Sequence, residues 1–218
     1  MFMARTLDLY QLLSQPESYR NLEWERALMV AFSEAKVELS SSEAQSGPDG
    51  WPYLHVKASP QAGEPVVRVV DWLSTRGIGM VLNAYKMMPD YIFTYGMIWH
   101  FKEKGMFQDF DAKTTSGPVA YKKEAGFLFG PPSEAYLPLY VRKVLRQFLN
   151  AQGVKYPKIL VATSKDYSQT DLIISVDSLG NPPEREHRAF AEALSWFLPT
   201  HYPIVLAQEG GLPPFADL

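Results

Sequence analysis

Apolar positions along the chain change period several times, and each change marks an element. Leu9, Leu12 and Leu13 share one face of a short helix predicted over Leu7 to Leu13, which Pro16 interrupts. Trp24, Leu28, Ala31, Phe32 and Ala35 recur at three- and four-residue steps, with Glu23, Arg26 and Glu34 opposite, so a second helix is predicted from about Leu22 to Lys36. Val37-Glu38-Leu39 alternates and opens a strand. Ser40 to Gly50 is a polar loop, and Trp51 to Val56 is the strand that returns from it. Proline cannot donate to a ladder, so Pro52 puts that strand at a sheet edge or near its own start. An edge there would pair across a dimer or lie under the 40–50 loop. After a loop over Ser59 to Glu64, Pro65 starts a helix through Val66, Val67, Val69, Val70, Trp72 and Leu73, ending before Gly77.

The run from Arg76 to Gly105 is the most organised stretch. Gly77 and Gly79 bracket Ile78, and Met80-Val81-Leu82 continues as a short buried strand. Asn83 begins a turn, Pro89-Asp90 breaks the chain again, and Tyr91-Ile92-Phe93 suits a pleated surface. Thr94 is placed to cap an amphipathic helix carrying Met97, Ile98 and Phe101, which Gly105 stops.

Beyond it the pattern decays, and about 106 to 132 reads as a junction ending in a short strand, Phe127-Leu128-Phe129. A helix entered by Ser133 or Leu137, with Pro138 in its first turn, presents Val141, Val144, Leu145, Phe148 and Leu149 on one stripe and closes at Gly153. Strands follow at Lys158 to Thr163 and Asp171 to Asp177, joined by a hairpin connection. Asn181-Pro182-Pro183 launches a helix whose core face is Phe190, Leu194 and Phe197, Pro199 ends it, and Pro203 to Ala207 is a last strand. The tail EGGLPPFADL has no periodicity. Helices and strands mix without regular βαβ alternation. The fold class is therefore α+β, two small domains over 1–125 and 126–218, each a mostly antiparallel sheet with helices packed on it.

Composition narrows the chemistry. The 218 residues are 46% hydrophobic and 21% charged, enough for a buried core. The formal net charge of -3 comes without a basic stripe, which argues against a nucleic-acid partner. There is no cysteine, so disulfides, thiolate metal sites and cysteine nucleophiles are excluded. Arg5 and Asp8 interrupt the N-terminal apolar run, which does not read as a signal peptide, and no apolar run approaches the roughly 20 residues that span a bilayer. A cytoplasmic protein without a membrane partner is the expectation.

A helix leads to GIGMVLN, then YIFT, then a helix; later a helix ending FLNAQG leads to KILVAT, DLIISVD, the helix launched by two prolines, PIVLA and a terminal PPF. This order resembles the SseB family, the bacterial enhanced serine sensitivity proteins, with their N- and C-terminal α+β domains. The resemblance implies architecture. It carries no catalytic signature and no functional residue to transfer.

Candidate chemistry is sparse. His55, His100, His187 and His201 show no HxH or HExxH spacing. Glu184 and His187 make a single E-x-x-H step, better read as a solvated face with a Glu184–Arg188 pair than as half of a di-iron site. Ser164, Ser168, Ser175 and Ser178 lie near Asp166, Asp171 and Asp177, but Ser and Asp are also what turns and strand ends use. R-G-I-G-M runs into a strand and not a helix, so it is not a dinucleotide fingerprint. No catalytic residue, metal or cofactor is expected. The sharper signal is aromatic and Met content in the first half, where Trp51, Tyr53, Tyr85, Met87, Met88 and Tyr91 are the binding candidates and Tyr95 and Trp99 complete the cluster; part of it is core, with Trp99 and Tyr91 expected there first. Exposed Met and aromatic residues mark adaptable binding surfaces. The leading reading is a non-enzymatic interaction module whose partner is another protein or a second copy. The alternatives are a hydrolase with a cleft between the halves, motivated by His100 and His187, and a secretion-accessory or immunity protein.

Overall fold

A computed structural model of the chain describes residues 8–61, 63–112 and 126–218. It divides into two compact units, Met1–Phe110 and Asp111–Leu218. Residues 113–125 of the expected junction near 106–132 lie outside the described residues, and the expected boundary at 125/126 falls at their edge. Each unit pairs a mixed sheet with helices, an α+β fold.

In the first unit α1 (Leu9–Leu13) is followed by a 3-10 turn and α2 (Leu22–Ser33). Asp8 and Gln11 close a capping box on α1, and the Asn21 side chain caps α2 by accepting the Trp24 N–H. The second helix stops three residues short of the expected Lys36. Lys36 is already in β1 (Lys36–Leu39), whose pairing with two strands outweighs another helical turn. Next come β2 (Gln45–Ser46), β3 (Pro52–Ala58), β4 (Glu64–Pro65), α3 (Val66–Ser74), β5 (Gly79–Leu82), β6 (Tyr91–Phe93) and α4 (Tyr95–Lys104). The sheet order is β4-β1-β3-β5-β6, with β2 also on β3; among the described residues only β3 and β5 run parallel. Pro52 is thus the first residue of an interior strand. It meets Ser46 of the 40–50 loop, so that loop takes the place a dimer partner would have had.

Leu9, Leu12, Leu28, Phe32, Val69 and Leu73 from the helices meet Val37, Leu54, Val56, Met80, Leu82 and Phe93 from one face of the sheet. α4 departs from the amphipathic expectation: every residue from Tyr95 to Phe101 is buried. Its ends follow local chemistry. Thr94 Oγ1 accepts the Met97 N–H, and Gly105 takes the left-handed conformation, φ 72°, that favours glycine.

The second unit holds β7 (Phe127–Gly130), α5 (Leu139–Ala151), β8 (Lys158–Ser164), β9 (Thr170–Ser175), α6 (Glu184–Ser195), β10 (Ile204–Ala207) and β11 (Ala216–Asp217). The order is β10-β9-β8-β11, with β7 on β8, and among the described residues only β10 and β9 run parallel. The tail is structural despite its lack of periodicity. Leu212 and Phe215 pack on Leu160, Ala162 and Ile173, and Ala216–Asp217 pairs with Lys158–Ile159. The ring of Phe197, just after α6, packs tilted against Phe148 of α5, with centroids 4.7 Å apart.

Candidate functional site

The turn between β5 and β6 is built from its base upward. Asn83 adopts φ 57°, a left-handed conformation that Asn tolerates better than most residues. Its side chain then works in two directions: Oδ1 accepts the Ala58 N–H at 3.0 Å, and Nδ2 donates to Asp90 Oδ2 at 2.6 Å. Asp90, with its side chain 2% exposed, also accepts from Lys86 at 2.5 Å and from Arg20 at 2.8 Å. Arg20 further donates to the Leu13 and Gln15 carbonyls, tying the turn to the end of α1. Burial raises the Asp90 pKa, but the hydrogen bonds from Lys86, Asn83 and Arg20 and the charge of Lys86 outweigh it, and the net shift is downward. A buried carboxylate with two cations and an amide around it is a satisfied anchor.

The tip is the reverse of the base. Met87 is 100% exposed, and Tyr85 and Met88 are each 66% exposed. The only ring contact at the tip among the described residues sets Lys57 Nζ 5.7 Å from the Tyr85 ring centroid. Burying a Met side chain fully is worth about 1.5–3 kcal/mol. Met87 contributes none of that to folding.

The six residues nominated by the sequence do not form one surface. Register sets Tyr53 against Gly79 and Val56 against Leu82, so Trp51 and Tyr53 lie at the opposite end of the β3–β5 pair from the turn. Tyr85, Met87, Met88 and Tyr91 are at the turn end. Tyr91 is half-buried and donates its hydroxyl to the Glu25 carboxylate; burial and that carboxylate push its pKa far up. Trp51 is half-buried, and its backbone N–H donates to Asp49 Oδ1. Tyr53 is buried and is corrected from surface to core. One edge of its ring lies where a Cβ on Gly47 would sit, the other where a Cβ on Gly79 would sit, and its hydroxyl donates to Asp49 at 2.7 Å.

The residues weighed for catalysis serve turns and strand ends. His100 is buried with Nδ1 2.8 Å from the Met106 carbonyl oxygen, and burial leads the lowering of its pKa. His187 lies 3.0 Å from the Pro182 carbonyl oxygen, at the entry of α6. Arg188 pairs with Glu192 at 2.7 Å and not with Glu184 as expected. Ser168 and Asp166 bond each other within the β8–β9 hairpin. The fully buried Ser175 donates to Glu209 at 2.7 Å and accepts the Ser178 N–H, while Asp177 accepts the Glu209 N–H. This network joins the ends of β9 and β10 to Lys158 at the start of β8. Glu209 and Lys158 escape sequence reasoning because their partners are dozens of residues away. Among the described residues no group of three or more His, Asp or Glu is placed to hold a metal ion, and no helix is long and apolar enough to cross a membrane.

Comparison with protein-family models, curated proteins and solved structures finds no match to this chain.

Proposed function

We propose that this chain is a cytoplasmic protein-interaction module of the SseB type, with an N-terminal-like domain over 1–125 and a C-terminal-like domain over 126–218. Its binding element is the 83–90 turn, offered to another protein or to a second copy. One observation carries the reading: Met87 is wholly exposed, between the two-thirds exposed Tyr85 and Met88, on a turn whose base is fixed by a buried carboxylate. Folding gains little from an apolar tip, and a fixed base lowers the ordering cost of binding through it. Met is also the side chain best able to fit an irregular partner.

A photo-crosslinking residue at position 87, irradiated in the native cell, tests this. The control position is Tyr156, which is also well exposed, at 78%, but lies in the second unit. A discrete adduct from position 87 and none from 156 is expected, and its mass separates a second copy from a different protein. No adduct at 87, or the same adducts at both positions, sinks the reading.

A further inference from the structure

A different place in the first unit holds an unfinished piece of core. Val37 and Leu39 are two apart on β1 and point to the same face of the sheet. Val37 is fully buried under the helices, yet Leu39 is 45% exposed. On α3, Val69 is buried, while Trp72, one turn further on, is 40% exposed. Leu39, Val69, Trp72 and the buried Leu54 wall a pocket of about 380 Å³ between the inner face of the sheet and α3. That is the small end of the roughly 300–1,000 Å³ range of ligand pockets.

Its mouth is polar and asymmetric. Arg68 lines it, one helical turn before Trp72 on the same face, and makes none of the ion pairs found among the described residues. Glu64 is also at the rim and disfavours an anion on its own side. The guanidinium of Arg76 lies 4.3 Å from the Trp72 ring centroid, which adds positive charge to the indole wall.

From an apolar slot opening into the core, an aromatic wall and an unpaired guanidinium at the mouth, we infer that the first unit binds a small carboxylic acid with an aliphatic or aromatic body. The body completes the layer that Leu39 and Trp72 leave open. The carboxylate takes a two-point hydrogen bond from Arg68, the geometry for which a guanidinium is suited and an ammonium is not. The inference is independent of the Met turn.

Octanoate and phenylacetate, each against its uncharged amide, are the probes, titrated into the full chain and followed by two-dimensional NMR. Saturable shifts are expected at Leu39, Leu54, Val69 and the Trp72 indole N–H, with the acids binding about tenfold more tightly than the amides, as one charge-assisted hydrogen-bonded pair predicts. Arg68→Gln, an exposed substitution that leaves the core untouched, removes that preference but keeps the shifts in the apolar wall. Met87→Glu/Met88→Glu leaves acid binding unchanged. The inference is overturned if no saturable shift appears up to the solubility limit, if shifts centre elsewhere, or if acid and amide bind alike. Equal binding is the outcome expected of a slot that takes an apolar side chain of a protein partner.

Discussion

Replacing Asp90 by Asn changes one oxygen to an amide nitrogen and tests whether the turn is held from its base. The carboxylate receives hydrogen bonds from Lys86 at 2.5 Å, Asn83 at 2.6 Å and Arg20 at 2.8 Å. Hydrogen bonds to a charged group are worth about 1.5–3 kcal/mol each when sheltered. The Lys86 side chain is over a third exposed, so its share falls toward a surface pair, below about 1 kcal/mol. Arg20 is less exposed and keeps the larger value. Asn at position 90 retains one acceptor but must turn its own N–H groups toward a cation or toward the Asn83 amide. The loss expected at pH 7 is about 3 kcal/mol, the low end for breaking a buried pair. Native-state hydrogen exchange of the Met80–Leu82 amides reads this in the full chain without requiring both units to unfold together, as exchange about a hundredfold faster. The pH dependence fixes the cause. The folded Asp90 pKa lies below its ordinary value of 3.8. A carboxylate lowered by folding stabilises fully above its unfolded pKa and loses that contribution as pH falls through the folded one. The gap between wild type and Asp90→Asn is therefore flat from about pH 8 to 5 and closes below about pH 4. A variant within about 0.5 kcal/mol of wild type at pH 7, or a gap that persists into strong acid, refutes the anchor.

Gly79→Ala puts a methyl 2.7 Å from the Phe93 carbonyl oxygen and from two Tyr53 ring carbons, so thermal unfolding should show a loss of about 1–3 kcal/mol. In a double-mutant cycle with Tyr53→Ala the two changes should cost less than their sum, since the ring clash is shared. Met87→Glu/Met88→Glu should leave melting and exchange within about 0.5 kcal/mol of wild type while abolishing crosslinks formed from position 85. Ser175→Ala removes the buried hydroxyl that donates to Glu209 Oε1 and accepts the Ser178 N–H, and should cost the second unit about 1–3 kcal/mol in thermal unfolding, with Glu209 still held by Lys158.

What was legible in the sequence was what neighbours in sequence decide. Thr94 and Gly105 fix the ends of α4 through atoms three and four residues away, and both act where placed. The turn residues of 83–90 give an exposed tip because Pro89 and Asn83 break both flanking strands. Distant pairing was not legible. Nothing in PIVLA says that it runs parallel to β9, and nothing in the tail says that Ala216 pairs with Ile159. Tyr53 looked available because the glycines that admit its ring lie at 47 and 79, on other elements. α2 was read too long because Ala35 continues the helical stripe while Lys36 answers to Pro65 across the sheet. The acid slot left no trace, since Leu39 alternates with Glu38 as any half-buried strand residue does.

Two apolar surfaces of the first unit go uncovered, and they do so for opposite reasons. At the turn, the polar groups are inside and the apolar ones outside: Asp90 is sealed beneath Lys86 and Asn83 while Met87 stands in water. A turn selected only to connect two strands would reach nearly the same stability with polar residues at positions 85, 87 and 88, because Met87 contributes no burial and Tyr85 and Met88 only a minor part of theirs. At the slot, the apolar residues face inward as folding requires, but the layer above Leu39 and beside Trp72 is missing. There folding forgoes burial that it could have had, at about 25 cal/mol per Å² of apolar surface. A larger residue in place of Ser42, at the pocket wall, would reclaim part of it. The first surface is a projection that fits into something else; the second is a recess that something else fits into. A projection with a locked base is suited to a macromolecular partner, and a recess of this volume with one arginine at its mouth is suited to a small anion.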